Sequence, residues 1–227
     1  MNGNHDTALL QRDMIDDKAF DHGAISRFNS WFFNAFETYI NRIAEHHKTQ
    51  ALRGISGTSI LEIGAGTGAN FSYVPDGARL YAVEPSLRMH DRLRAKAASA
   101  GVELTVLGTG AEQIPLPDNS IDEVVATLVL CTVDDPAAVL AEVRRVLRPG
   151  GSFRFVEHVA AGDRTLRRKV QRWIRRPWGW LFEGCNPALE TPALVEAAGF
   201  DEVTIERRMF RRSLFYPVNT AAWGMAR

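Results

Sequence analysis

Residues 60–68 read Ile60-Leu61-Glu62-Ile63-Gly64-Ala65-Gly66-Thr67-Gly68, an apolar run that ends in closely spaced glycines. Glycines at the end of a buried strand let the backbone turn sharply and lie against a ligand, because no Cβ is in the way. A second apolar run ends in Glu84, about 20 residues after Gly64, the usual spacing of a carboxylate that accepts hydrogen bonds from ribose hydroxyls. Together these features predict a pocket for a cofactor that contains adenosine.

Strand and helix patterns alternate on both sides of this segment. Strands are predicted at 59–63, 79–83, 102–107, 121–130, 152–156, 201–207 and 214–225. Helices are predicted at 24–51 (as one or two helices), 86–101, 136–147, 163–183 and 191–198. The run at 121–130 is apolar throughout, which indicates a strand covered on both faces. We therefore expect an α/β fold with a doubly wound, mostly parallel, seven-stranded sheet.

The chain has 227 residues, a length that suits one domain. Residues 1–18 are polar and are expected to form a flexible tail. The aromatic helical pattern that follows predicts an N-terminal helical lid at 19–53. The domain proper is expected at 54–227, with a basic, Trp-rich helical insertion at about 161–190.

Charge and cysteine usage exclude some classes of function. The 27 basic residues balance the 27 acidic ones, so nothing in the overall charge indicates a nucleic-acid partner. Cys131 and Cys185 lack the paired spacing of a zinc site, and we expect no metal. Two isolated thiols and the absence of a signal pattern in 1–18 predict a cytoplasmic protein.

The glycines alone do not choose the cofactor. Gly64, Gly66 and Ala69 also satisfy the fingerprint of nicotinamide dinucleotide sites. A pyrophosphate would need the N-terminus of a full first helix, yet a turn at Pro75 follows shortly after Thr67. Glu62 would repel a pyrophosphate but could accept a hydrogen bond from an ammonium group. The pattern therefore favours S-adenosylmethionine (SAM) over a dinucleotide.

Residues 59–158 resemble class I SAM-dependent methyltransferases of the ubiquinone and menaquinone biosynthesis type. The resemblance depends on the motifs Glu62–Gly68, Glu84–Ser86, Ala111-Glu112, Ile114-Pro115, Ile121-Asp122 and Leu147–Gly151. It implies that the glycine loop passes under methionine and ribose, that Glu84 holds the ribose and that residues 110–112 line the adenine. The expected cofactor contacts are Glu62, Gly64, Ala65, Gly66, Thr67, Gly68, Glu84, Pro85, Ser86, Met89, Gly110, Ala111, Glu112, Thr127 and Leu128.

A narrower resemblance extends into the second half of the chain. Segments 127–131, 156–161 and 182–186 are similar to the methyltransferase-like group that includes membrane-associated alkyl thiol methyltransferases. This implies a small apolar acceptor with a thiol as the methylated group. Those animal enzymes begin with an apolar membrane anchor, which residues 1–18 do not resemble. N-, O- or C-methylation of a lipid amine, quinone precursor or natural product stays open, as does a non-catalytic SAM-binding module.

His158 is the candidate catalytic residue. It lies at the carboxyl end of the predicted fifth strand, the edge where ligands bind in open α/β sheets, and its ordinary pKa suits proton uptake. The alternative is a histidine that only shapes the floor of the site. Cys131 would lie near the methyl position or act as a small buried apolar residue.

The expected acceptor contacts combine these groups with aromatic residues that could close over the acceptor. They are Phe28, Asn29, Trp31, Phe32, Cys131, His158, Trp173, Trp178, Cys185 and Asn186. Aromatic residues at helical spacing also pack in cores, so some of them are expected to be structural. Residues 164–176 form a basic amphipathic helix, which could make weak contact with a membrane surface or be a solvated face.

Overall fold

The computed structural model describes residues 24–210 and 213–227. Its strands are β1 (Ser59–Ile63), β2 (Arg79–Val83), β3 (Glu103–Leu107), β4 (Ile121–Thr127), β5 (Leu147–His158), β6 (Val203–Met209) and β7 (Thr220–Ala226). Its helices are α1 (Ala24–Leu52), α2 (Leu87–Ala100), α3 (Pro136–Val146), α4 (Leu166–Leu181) and α5 (Thr191–Ala197). The predicted tail at 1–18 lies outside the described residues.

The strands form one seven-stranded sheet in the order β3-β2-β1-β4-β5-β7-β6. The first five strands in this order are parallel, whereas β7 runs antiparallel to both β5 and β6. Strand order reverses beside β1, between β1 and β4. In open α/β sheets the crevice at such a reversal, beyond the carboxyl ends of the strands, is where ligands bind. The predicted doubly wound, mostly parallel sheet is confirmed.

Apolar side chains cover both faces of the sheet because successive residues of a strand point to opposite sides. Leu61 contributes to a core that includes α3 and α5, while its neighbour Ile60 contributes to a core that includes α1 and α2. Both residues are almost fully buried. This arrangement leaves the carboxyl edge of the sheet as the place where polar groups can gather.

The bounds of three strands, β4, β5 and β7, differ most from the sequence-based prediction. β4 ends at Thr127 because Leu128 adopts a left-handed conformation with φ of 57°. β5 begins at Leu147, earlier than the predicted residue 152, and β7 begins at Thr220 instead of residue 214. Residues 24–52 form a single helix. None of the described helices combines the length and the apolar character needed to cross a bilayer.

A buried ion pair fixes the end of α1 to the sheet. Arg154 Nε on β5 donates to Glu123 Oε2 on β4 at 2.8 Å, and both side chains are buried. The same guanidinium donates to the carbonyl oxygens of Ala51, Arg53 and Gly54, which follow or close the helix. Because an unpaired buried charge is costly, this cluster holds the C-terminal end of α1 against the sheet.

Candidate active site

A cavity of about 290 Å³ opens at the carboxyl ends of β1, β2 and β4. It lies where the strand order reverses, as expected for a ligand site in this architecture. Fourteen of the fifteen expected cofactor contacts line it. The exception is Gly68, which packs closely against Phe71: a Cβ on Gly68 would come within 2.5 Å of the Phe71 ring. Further lining residues are Ile40, Asn41, Lys48, Ile63, Ala69, Asn70, Val83, Val129, Thr132, Val133, Asp134, Phe182 and Glu183.

The glycine loop has the backbone conformation that the sequence predicted. Gly64 and Gly66 have φ of 66° and 55°, in the left-handed region that favours glycine. A Cβ on Gly64 would collide with the Val129 side chain. A Cβ on Gly66 would meet no atom within 4 Å, and this residue lines the cavity. The loop therefore leaves free space at Gly66 in which a ligand can approach the backbone closely.

Glu62 brings a buried carboxylate to the cavity. Its Oε1 accepts a hydrogen bond of 2.7 Å from Asn70 Nδ2, which also donates to Thr127 Oγ1 at 2.8 Å. Burial raises the pKa of Glu62 to about 7, against the lowering effect of the Asn70 hydrogen bond. A cationic group in the cavity would stabilise the ionised form of Glu62.

Glu84 supplies a second buried carboxylate at the end of β2. Its Oε2 accepts from Gly66 N at 2.8 Å and its Oε1 from Ser86 N at 2.9 Å, so it links the glycine loop to the start of α2. Burial raises the pKa of Glu84 to about 7, although both backbone hydrogen bonds lower it. An ionised carboxylate has four acceptor positions, so capacity for two hydroxyl donors is left.

The far end of the cavity is formed by residues 110–112. Glu112 Oε1 accepts hydrogen bonds from the backbone N–H groups of Asp134 and Asp135, at 3.1 and 3.4 Å. Asp135 in turn caps α3 through its Oδ1, which accepts from Ala137 N and Ala138 N. These contacts bring the loop after β3 and the loop after β4 together beside the small residues Gly110 and Ala111.

Glu157 on β5 is a functional-site residue that sequence reasoning missed. Its Oε1 accepts from Val129 N and Leu130 N, both at 2.9 Å, and so positions the loop that follows β4. Burial raises the pKa of Glu157 to about 7. The available signal was a carboxylate in the largely apolar stretch 155–161, because such a residue is buried only when it is hydrogen-bonded.

Three of the predicted residues meet in a buried group beside the cavity, which we call the Cys–His cluster: Cys131, His158 and Cys185. The Cys185 sulfur lies 3.2 Å from His158 Nε2 and 3.8 Å from the Cys131 sulfur. Trp178 Nε1 donates to Cys185 Sγ at 3.2 Å. The Cys–His cluster does not line the cofactor cavity. Cys185 and Asn186 instead line a second cavity of about 360 Å³, together with Arg175, Arg176, Gly179, Trp180 and Gly184.

The thiols of the Cys–His cluster differ in acidity. Contact with Cys131 lowers the pKa of Cys185, and the neighbouring His158 lowers it further despite burial. The contact with Cys185 and burial both raise the pKa of Cys131. Burial lowers the pKa of His158, but the charge and hydrogen bond of Cys185 outweigh it and leave that pKa above its ordinary value. A proton is therefore shared unequally within this group.

The remaining predicted acceptor contacts have different locations. Phe32 is half-buried and packs edge-on against Phe182, with ring centroids 5.3 Å apart, and so reaches a residue that lines the cavity. Trp31 and Trp173 are 61% and 84% exposed and do not line it. The side chains of Phe28 and Asn29 lie outside the described part of the structure.

Several residues that line the cavity were not expected. Asn70 lies beyond the glycine loop and was missed because only its contact with Glu62 reveals its role. Asn41 and Lys48 come from α1, where Lys48 Nζ donates to Asn41 Oδ1 at 2.8 Å. These two polar residues are seven positions apart and so share one face of a helix that is otherwise rich in aromatic residues. That was the signal that α1 contributes to the site.

These residues fit the predicted cofactor. The free space at Gly66 accommodates a close backbone contact, and two buried carboxylates suit a ligand with an ammonium group and ribose hydroxyls. A pyrophosphate would instead face both of these carboxylates. The first turn after the glycines is a short 3-10 helix at Phe71–Tyr73, so no full helix presents its N-terminus to a phosphate.

Comparison with known proteins agrees with this geometry. The methyltransferase domain family matches residues 61–155. A SAM-dependent methyltransferase of Thermotoga maritima has the same fold, with a TM-score of 0.63 and 22% identity over 87% of this chain and 97% of that chain.

Two human proteins are similar over a longer stretch. Thiol S-methyltransferase TMT1A is 39% identical over 161 residues, which cover 69% of this chain and 66% of that protein, slightly under two thirds of its length. Thiol S-methyltransferase TMT1B is 38% identical over 178 residues, which cover 74% of this chain and 73% of that protein. The chain belongs to the family of SAM-dependent methyltransferases that includes TMT1A and TMT1B.

Proposed function

We propose that this methyltransferase transfers the methyl group of SAM to the sulfur of a small, largely apolar thiol. The observation that carries the proposal is the extent of the similarity to TMT1B. It covers 178 residues, far more than the domain match at 61–155, and so includes regions outside the cofactor loop. A shared fold alone would not support a shared acceptor, whereas similarity that extends beyond the cofactor motifs does.

The residues that would hold SAM are those of the cavity. Glu62 would accept a hydrogen bond from the ammonium group, Glu84 would accept from the ribose hydroxyls, and residues 110–112 would line the adenine. SAM supplies an electrophilic methyl group on a positively charged sulfur. The protein then mainly has to align the acceptor and exclude water.

Apolar side chains on the cavity suit an apolar acceptor. Ile40, Val129, Val133 and Phe182 all line it. Phe182 packs against Trp178 with ring centroids 4.5 Å apart, so the insertion at 161–190 contributes to this apolar lining. A thiol with an ordinary pKa of ~8.5 is a few per cent thiolate at neutral pH, which is enough for slow attack without a base.

The role of His158 as a base stays a prediction. Its Nε2 faces Cys185 and not the cavity, so a proton would have to pass through the Cys–His cluster. His158→Asn tests this: a base acting on the acceptor would be revealed by a changed dependence of kcat/KM on pH. An unchanged profile would assign His158 a structural role.

Labelled-methyl transfer from SAM to a panel of thiols, amines, phenols and a phospholipid tests the proposal. We expect product with apolar thiols, and none with the Glu84→Gln variant. Glu103→Gln on the protein surface is the matched control. Product formed only with amines or phenols would overturn the assignment to sulfur. SAM binding without turnover on any acceptor would favour a non-catalytic binding module.

We also propose that α4 makes weak contact with a membrane surface. Leu166, Trp173 and Trp180 are each at least 70% exposed and follow one another at intervals of seven residues, so they share one face of the helix. We call this face the tryptophan stripe. Basic residues flank it, a composition typical of helices that lie in a membrane interface.

Two free thiols support a reducing, cytoplasmic location.

A further inference from the structure

The Cys–His cluster has more donor atoms than the surrounding protein uses. The two cysteine sulfurs and a histidine ring nitrogen all lie within 4.8 Å of one another, and all three residues are buried. Both cysteines are free thiols. His158 Nδ1 is buried and has no hydrogen-bond partner among the described residues. A buried group of this composition calls for an explanation beyond packing.

The distances in the Cys–His cluster are close to those of a tetrahedral metal site. Two thiolates at ~2.3 Å from a tetrahedral Zn²⁺ are about 3.8 Å apart, and a thiolate and an imidazole nitrogen are about 3.6 Å apart. The Cys131 and Cys185 sulfurs are 3.8 Å apart, and Cys185 Sγ lies 3.2 Å from His158 Nε2. The remaining pair, Cys131 Sγ and the His158 ring nitrogen, lies within 4.8 Å, so the imidazole has to move away from Cys185 to admit the ion.

We propose that Cys131, Cys185 and His158 bind one Zn²⁺ ion through their two sulfurs and Nε2. Sulfur and imidazole ligands select a borderline-soft ion such as Zn²⁺ over Mg²⁺ or Ca²⁺. Three protein ligands leave the fourth position for water or another small ligand. Each thiol loses its proton to solvent when it binds the ion.

The neighbours of the Cys–His cluster hold its ligands in place before any ion arrives. The Trp178 indole N–H donates to Cys185 Sγ at 3.2 Å, as an outer-shell donor to a metal-bound thiolate does. Asn186 N donates to Cys131 O at 2.7 Å and so ties the backbones of the two cysteine segments together. Of the three ligand residues, Cys185 also lines the second cavity, so this cavity adjoins the Cys–His cluster.

This assignment replaces the expectation of no metal that the sequence suggested. The ligands come from the loop after β4, the end of β5 and the loop after α4, so no short motif contains two of them. With Nε2 on an ion, His158 could not act as a base. The proposal does not depend on which acceptor is methylated.

Metal content and Co²⁺ binding of the full chain, purified and kept in reducing buffer, test the proposal. We expect one equivalent of Zn²⁺ per chain after expression with zinc. We also expect Co²⁺ added to the chelator-treated protein to give thiolate-to-metal charge-transfer absorption and the visible bands of a tetrahedral site. Calorimetry with SAM on the same samples reports whether the cofactor cavity is intact, independently of turnover.

Three variants grade the response. Cys185→Ser and His158→Asn remove a ligand and should weaken Co²⁺ binding by more than the ~10–100-fold expected for Trp178→Phe, which removes only an outer-shell donor. His47→Asn is the matched control, since His47 is also buried but packs against Phe210 and Trp223. It should keep full Co²⁺ affinity.

Two results would overturn the proposal. One is wild-type protein that binds SAM but contains no zinc and gives no charge-transfer band with Co²⁺. The other is a band that persists in Cys185→Ser protein. Wild-type protein that binds zinc but methylates no thiol would refute the proposed function and leave the zinc assignment standing.

Discussion

The two raised carboxyl pKa values in the cavity make SAM affinity dependent on pH. Glu62 and Glu84 each have a pKa of about 7 in the free protein. In the proposed function both would accept hydrogen bonds from SAM in the ionised form, and the ammonium group of SAM would stabilise that form. Binding therefore releases protons below pH 7, and affinity is highest above pH 7 and falls as the pH is lowered.

The size of the effect follows from the two pKa values. At pH 6 each carboxyl is about one-tenth ionised, so each costs about tenfold in Kd, or ~1.4 kcal/mol. Together they should raise Kd about 100-fold above its limiting value, with a slope of log Kd against pH that approaches about −2 in more acidic solution. Glu62→Gln should reduce this slope to about −1, because only Glu84 then titrates.

Calorimetric titration with SAM between pH 5.5 and 7.5 measures this dependence. The range stays below the ordinary pKa of an α-amino group, ~7.7–8.0, so that the ammonium group of SAM stays protonated. Glu103→Gln, on the surface strand β3, is the control and should retain the wild-type slope. A Kd that stays constant across the range, or an unchanged slope in Glu62→Gln protein, would refute the reasoning.

Three further outcomes are expected. Gly66→Ala should weaken SAM binding at least tenfold and lower the free energy of unfolding by ~1–2 kcal/mol, since φ of Gly66 is positive. Gly54 also has positive φ but lies away from the cavity. Gly54→Ala should therefore lose similar stability in urea titrations while its SAM affinity stays unchanged. Arg154→Met should lower the free energy of unfolding by ~3–5 kcal/mol because it leaves Glu123 buried without its partner, and the second substitution Glu123→Gln should recover part of the loss. At low salt the wild-type protein should float with vesicles that contain anionic lipid. The variant with both tryptophans of the tryptophan stripe replaced by serine should not; equal flotation of the two proteins would exclude that surface.

The cofactor half of the site could be predicted from the sequence because its determinants are local. The glycine loop follows β1 directly, and Glu84 ends β2, so strand pattern and spacing were enough to place both. The end of β4 was not predictable in this way. Leu128 continues an apolar run, and its left-handed conformation depends on contacts with β5, including Leu128 N to Val156 O at 2.8 Å.

The acceptor half depends on contacts between distant segments. His158 and Cys185 were predicted as neighbours of the acceptor, but only the fold shows that they meet each other, apart from the cofactor cavity. Asn70 and Glu157 act through a hydrogen bond to another element, a role that periodicity does not encode. Residue type and spacing report one segment at a time, whereas these roles arise from packing.

The segment 182–186 is shared by two cavities. Phe182 and Glu183 line the cofactor cavity, while Gly184, Cys185 and Asn186 line the second cavity. Glu183 and Gly184 both have positive φ, with values of 45° and 86°, so the segment between the two cavities is a tight bend. We therefore expect a ligand in the cofactor cavity to shift this shared segment, so the rate at which an alkylating reagent labels Cys185 in metal-free protein should change when SAM is added.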